Sequence, residues 1–122
     1  MSVYQFDLIR TDKELASKIL KAVDKYSLKE DTLLCVRMKD DSIVLSWETW
    51  HGSPFPDFEQ LLTDNRHKWL YAAEYDDGTA MIYDHHSDVR WRESLDIVKV
   101  DGIEFIQIKE FGEKISAKSI MS

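Results

Sequence analysis

The spacing of apolar side chains changes near the start of the chain. Every second side chain is apolar in residues 4–9, with Asp7 at a polar position, which predicts a half-buried strand. In residues 15–26 the apolar side chains recur every three or four positions, which predicts an amphipathic helix. Thr11 and Glu14 have the spacing of a capping box, so we expect Thr11 to cap this helix.

Short β-prone runs follow in pairs, and a turn sequence separates the two members of each pair. The paired runs are residues 32–38 with 43–47, 69–75 with 79–84, and 95–100 with 103–109. The last two pairs are joined by Asp77-Gly78 and Asp101-Gly102, and Asp-Gly supplies the positive φ that a tight turn needs. The pattern therefore predicts three β-hairpins.

A second, short helix is predicted between the first and second hairpins. Phe58, Leu61 and Leu62 lie on one helical face there, after Pro54 and Pro56 interrupt the preceding stretch. Residues 112–122 mix isolated apolar positions with Ser and Lys, so they can form a frayed helix, a last edge strand or a flexible tail.

The order of these elements predicts an α+β fold. It is strand, helix, strand, strand, helix and then four strands, and no linker-like composition divides residues 1–122 into more than one domain. A mainly antiparallel sheet of about six to seven strands with two helices on one face satisfies this order. The first half matches the element order of a ferredoxin-like split βαβ unit, which implies no function.

Acidic residues are concentrated in the middle of the chain. Residues 40–89 contain eleven carboxylates and only two fixed positive charges, Arg66 and Lys68, whereas the remainder contains twelve acids and fourteen bases. The mid-chain acids are Asp40, Asp41, Glu48, Asp57, Glu59, Asp64, Glu74, Asp76, Asp77, Asp84 and Asp88. Such a division favours a surface that attracts a cationic partner.

Composition narrows the classes of function. A net charge of −7 and an isoelectric point near 5.0 oppose direct binding to DNA or RNA. The only cysteine, Cys35, lies in an apolar run and predicts a structural thiol in a reducing, cytoplasmic compartment. The chain has no signal-peptide pattern and no apolar run near the ~20 residues that span a bilayer, so we expect no membrane.

Catalytic signatures are weak. No Gly-x-Ser-x-Gly sequence or glycine-rich phosphate loop occurs, so we expect no cofactor and no catalytic residue. Asp84, His86 and Asp88 would share one face of an extended strand, and a carboxylate, imidazole, carboxylate set can hold a divalent ion. With His51 and His85 this set gives the alternative hypothesis of a metal-assisted hydrolase.

The segment around Trp47 and Trp50 is the candidate anchor of a docking surface. In one interpretation, Trp47 faces the core and the Trp50 ring folds over the rim of the core. In the other, Trp50 is exposed as the kind of rigid side chain that dominates protein interfaces. The predicted partner-binding residues are Trp47, Glu48, Trp50, His51, Asp57, Asp64, Asp76, Asp77 and Asp84.

The leading hypothesis is a small acidic protein-binding module. It would dock on a basic protein, with a nucleic-acid-binding site of that protein as one candidate surface, in the manner of immunity proteins, antitoxins and inhibitors. We expect a monomer or a homodimer, and a self-associating structural protein sealed by its indoles is a third possibility.

Overall fold

The chain forms an α+β fold in a computed structural model, which describes residues 4–25, 33–50, 57–75, 78–83 and 89–121. The helices are α1 (Lys13–Lys25), α2 (Phe58–Asp64) and α3 (Ala117–Met121), with a 3₁₀-helix at Val89–Ser94. The strands are β1 (Tyr4–Thr11), β2 (Leu34–Arg37), β3 (Ile43–Trp50), β4 (Trp69–Tyr75), β5 (Ala80–Tyr83), β6 (Leu95–Val100), β7 (Ile103–Ile108) and β8 (Glu113–Lys114).

The strands of the described ranges form one six-stranded sheet and a separate two-stranded ribbon. The order in the sheet is β5-β4-β1-β3-β2-β8, and every neighbouring pair is antiparallel. The ribbon consists of β6 and β7. The three predicted hairpins are confirmed by the antiparallel pairs β2–β3, β4–β5 and β6–β7.

The helices pack against one face of the sheet. Ile9 at the centre of β1 lies opposite Leu45 of β3 and Tyr71 of β4, and all three side chains are buried. The apolar sides of α1 and α2 cover this face, as the periodicity predicted. The contributing helix residues are Leu15, Ala16, Ile19, Leu20, Val23, Phe58, Leu62 and Ile120.

The opposite face of the sheet is also covered, by the 3₁₀-helix and the ribbon. Leu8, Val44 and Leu70 form a second buried cluster there with Trp91 and Leu95. Side chains of both orientations are therefore buried along the central strands. The last hairpin is separate from the main sheet, and its inner face covers this second buried cluster.

The start of α1 differs from the predicted capping box. Asp12, not Thr11, caps the helix, and its Oδ1 accepts a 2.8 Å hydrogen bond from the Leu15 amide. Thr11 is the last residue of β1 and is fully buried, so its hydroxyl is directed across the sheet and donates to the Lys68 carbonyl at 2.6 Å.

The turn between β6 and β7 has the geometry that its sequence predicts. Asp101 and Gly102 both have positive φ, at 52° and 83°, as a two-residue type I′ turn requires. Gly78, before β5, also has a positive φ of 87°. Its neighbours Asp76 and Asp77 lie outside the described residues.

The C-terminal segment forms an edge strand and then a helix. β8 pairs with β2, and Gly112 approaches that strand so closely that a Cβ would lie 2.2 Å from the Arg37 carbonyl oxygen. Ile120 of α3 is buried in the cluster beneath α1. Across the described ranges, none of the helices combines the length and the apolar composition needed to cross a bilayer.

Candidate functional site

Trp47 lies in the core and offers no surface for docking. Its side chain is 0% exposed and makes an edge-on contact with the Phe58 ring, with centroids 6.0 Å apart at 89°. The cause is strand register, since Trp47 pairs with Asp7 on the helix-covered face. Its indole Nε1 has no hydrogen-bond acceptor among the described residues.

Several predicted site residues lie outside the described part of the chain. Trp50 ends β3, but its side chain is among those that are not described. The others are His51, Asp76, Asp77, Asp84, His85, His86 and Asp88. Both the Trp50 anchor and the metal-assisted hydrolase therefore stay predictions. Among the residues that are described, no group of three metal-ligating side chains lies together.

The described acids of the predicted docking surface are exposed. Glu48 lies near the end of β3. Asp57 directly precedes α2, and Asp64 is its last residue. With Glu59 in its first turn, α2 presents what we call the acidic helix, defined by the carboxylates of Asp57, Glu59 and Asp64.

Carboxylates of the acidic helix form no ion pair within the described residues, and α2 has no basic residue in its last turn. The Asp64 carboxylate accepts one neutral hydrogen bond, from the Gln60 amide at 2.8 Å. Asp57 precedes the helix without capping it through its side chain. No described cation therefore lies within ion-pairing distance of these three carboxylates.

Three acids elsewhere in the described chain are paired with cations. Glu113 lies 2.5 Å from Arg37, Glu104 lies 3.6 Å from Lys99, and Glu14 lies 3.7 Å from Lys18. Both side chains of each of these three pairs lie outside residues 40–89. In the middle of the chain, Asp40 is also paired, with Arg10.

Asp40 is a structural acid that joins the β2–β3 turn to β1 and the 3₁₀-helix. It accepts hydrogen bonds from the Ser42 hydroxyl at 2.5 Å and the Trp91 indole at 3.1 Å, and lies 3.2 Å from the Arg10 guanidinium. Arg10 itself stacks over the Trp91 ring at 5.5 Å and donates to the Ser42 hydroxyl at 2.9 Å.

This network sets the ionisation of Asp40. Desolvation alone raises the pKa of the carboxyl, but the hydrogen bonds from Ser42 and Trp91 and the charge of Arg10 outweigh it. The pKa of Asp40 is therefore held well below its usual range, and the side chain belongs to the structure rather than to a docking surface.

A buried polar cluster surrounds Asp7, which the sequence pattern did not single out. Asp7 is 0% exposed, and the Tyr71 hydroxyl donates a hydrogen bond to its Oδ1. Burial, with the charge of Asp7 next in effect, raises the pKa of Tyr71 far above that of a free tyrosine. The raised pKa favours the protonated Tyr71 hydroxyl as the donor to Asp7.

Two further tyrosines extend the cluster toward the edge of the sheet. The hydroxyls of Tyr75 and Tyr83 lie 2.7 Å apart, and the Tyr83 ring lies 5.2 Å from that of Tyr71. Asp7 and the tyrosines pack between strands and α2, where each hydroxyl has a protein partner. These contacts stabilise the packing of the strands against α2.

The outer face of the ribbon is apolar and exposed. Val98 pairs with Phe105 and Val100 pairs with Ile103 on the face turned away from the sheet. Phe105 is 39% exposed, Ile103 46% and Val100 54%. We call these four side chains the ribbon face. The sequence of residues 95–108 indicates this second apolar face, because both alternating sets of positions include apolar side chains.

Comparison with protein-family models, with curated proteins and with solved structures gives no match. The functional proposal therefore rests on the side chains of this chain alone.

Proposed function

We propose that the protein is a small acidic binding module that docks on a basic protein partner, as inhibitors, immunity proteins and antitoxins do. The observation that carries the proposal is the acidic helix, whose exposed carboxylates have no ion-pair partner within the described residues. A partner with clustered Lys or Arg would supply the missing cations.

The electrostatics of the whole chain support the same proposal. At a net charge of −7, the protein's long-range field attracts cationic surfaces and repels phosphate backbones. Exposed charges of this kind act mainly on the rate of association and on the choice of partner, and they do not supply the slow dissociation of a stable complex. The central contacts must therefore come from other side chains.

Trp50 and His51 remain the proposed central anchor of the interface. Both precede α2 in the chain, and a rigid aromatic side chain at the centre of an interface can contribute several times more binding free energy than a rim charge. Glu48, Asp76, Asp77 and Asp84 are proposed as further acids of the rim.

Three finer features belong to the proposal. The buried, unpaired Cys35 suits a reducing cytoplasmic compartment. The acidic field favours a monomer over self-association. The order β4-β1-β3-β2 supports a ferredoxin-like unit in the first part of one domain that spans the chain.

Affinity capture from the native host's lysate tests the proposal. Immobilised wild type should retain a basic protein at low salt and release it at high salt, because screening shortens the reach of exposed charges. The variant Asp57→Asn, Glu59→Gln, Asp64→Asn should retain markedly less of the same protein.

A matched variant separates local charge from net charge. Asp41→Asn, Glu14→Gln, Glu110→Gln removes the same number of carboxylates from exposed positions on other elements. It should capture the partner nearly as well as the wild type. Equal capture by all three proteins, or no salt-dependent basic protein in any eluate, would contradict the proposed function.

A further inference from the structure

Among the described residues, one edge of the ribbon is covered and the other has no partner. On the β7 side, the Glu104 amide donates to the Gly78 carbonyl at 3.2 Å, and the Ile106 amide donates to the Glu74 carboxylate. Burial raises the pKa of Glu74, although the Ile106 hydrogen bond opposes that effect. The outward amides of Glu104 and Ile106 in β7 are thus both hydrogen-bonded.

The opposite edge of the ribbon belongs to β6. In an antiparallel pair, residues alternate between facing the partner strand and facing away from it. Ile97 pairs with Ile106 and Lys99 pairs with Glu104, and the amides of those β7 residues face outward. The backbone groups of Ile97 and Lys99 therefore face outward on the β6 side.

No described residue hydrogen-bonds to the outward backbone groups of Ile97 and Lys99. Ile97 is 41% exposed, and Lys99 is exposed as well. An open edge of this length, with apolar side chains along it, is a template for another strand. The exposed ribbon face next to it would be extended by the apolar side chains of such a strand.

The charges around β6 favour a basic strand. Residues 93–104 carry four acids, Glu93, Asp96, Asp101 and Glu104, against one base. That base, Lys99, is paired with Glu104 at 3.6 Å. A second copy of the chain would bring the same acids together, whereas a strand with Lys or Arg would complement them.

We propose that the open edge of β6 accepts an extended, basic strand of the partner protein, which pairs with the backbone of Ile97 and Lys99. This inference rests on the proposed function and adds its mode of recognition: main-chain hydrogen bonds supply affinity, and acids around the edge select the sequence.

Amide hydrogen exchange of the full chain tests this edge. In the free protein, the Ile97 and Lys99 amides should exchange quickly and the Val98 amide, which faces β7, should exchange slowly. A short blocked peptide of alternating valine and lysine should slow exchange at Ile97 and Lys99 by at least about tenfold. A valine–glutamate peptide of equal length should leave both rates unchanged.

Two variants separate the backbone from the side chain. Ile97→Pro removes an outward amide without removing a hydrogen bond of the ribbon, and proline is tolerated at such edge positions. It should abolish protection by the valine–lysine peptide, whereas Ile97→Ala, which keeps the amide, should preserve it. Unchanged exchange in β1 would show that both variants are folded.

The outcomes distinguish this inference from the proposed function. Absence of protection by the valine–lysine peptide, or protection at other strands only, would overturn strand addition at β6. Protection that appears with rising protein concentration alone would identify a second copy as the occupant and also overturn it. If Ile97→Pro captures the basic partner as wild type does while the acidic-helix variant fails, the proposed function stands without strand addition.

Discussion

Asp40 holds three parts of the fold together through one carboxylate. It accepts hydrogen bonds from Ser42 in the β2–β3 turn and from Trp91 in the 3₁₀-helix, and pairs with Arg10 of β1. Arg10 is almost completely buried, so removal of the Asp40 charge leaves a guanidinium with one fewer anionic partner.

Asp40→Asn should therefore make stability less dependent on acid pH. Because folding lowers the pKa of Asp40, its ionised form stabilises the folded state above about pH 4, and this contribution is lost as the pH falls toward the lower pKa of the folded state. Since the side chain is 47% exposed, screening limits the effect at pH 7 to about 1 kcal/mol.

Urea unfolding at a series of pH values measures this contribution. The difference between wild type and Asp40→Asn should be largest near pH 7 and should shrink steadily below pH 4. Asp41→Asn, an exposed neighbour, is the matched control. A difference that is constant with pH would contradict the assigned ionisation.

Tyr71→Phe should destabilise the protein more than Tyr75→Phe. Tyr71 donates to the carboxyl group of the completely buried Asp7, and removal of one partner from a buried polar group costs about 1–3 kcal/mol. The half-buried Tyr75 hydroxyl meets another hydroxyl, for which about 0.5–1.5 kcal/mol is expected. Thermal and urea unfolding of both variants measure the difference, and the reverse order would contradict the role of Asp7 as a buried acceptor.

The residue-level predictions failed where the burial of a side chain depends on elements outside its own strand. Asp7 alternates with apolar residues and was expected on a solvated face, yet both faces of β1 are covered. Trp47 was a candidate contact residue, but its register with Asp7 directs it into the core. Neither outcome can be read from alternation alone, because the covering element lies far away in the chain.

At the scale of elements, the C-terminal segment closes the edge of the sheet and extends the core. β8 covers part of β2, and α3 contributes Ile120, which is 2% exposed, to the cluster beneath α1. An element this short has little stability of its own, so packing must hold α3 in place.

Ile120→Ala should lower the free energy of unfolding by about 2–4 kcal/mol, since it removes a buried aliphatic side chain and leaves a cavity. Lys118→Ala, on the exposed side of the same helix, should change it by less than about 0.5 kcal/mol. Urea unfolding measures both. Equal, small effects would show that the end of the chain is not part of the cooperative unit.

Elements with strong local signals were predicted well. The Asp101-Gly102 turn fixes the register of β6 and β7, and the apolar spacing in residues 58–62 locates α2. The placement of the ribbon outside the main sheet was not predictable from the same signals, because both arrangements satisfy the alternation of residues 95–108.

At the scale of the whole molecule, the charge asymmetry was visible in the sequence, but its distribution required the fold. Asp40 forms an ion pair within a structural network. Asp57, Glu59 and Asp64, in contrast, form no ion pair within the described residues. The open edge of β6 was also hidden, since the sequence predicts a hairpin without showing which of its edges is covered.

The rate of association with the captured partner tests the central claim most directly. Stopped-flow measurements at increasing salt should show an association rate constant that falls steeply for wild type and little for the acidic-helix variant, with dissociation rates nearly unchanged. An association rate that is insensitive both to salt and to the loss of Asp57, Glu59 and Asp64 would contradict the proposed acidic docking surface.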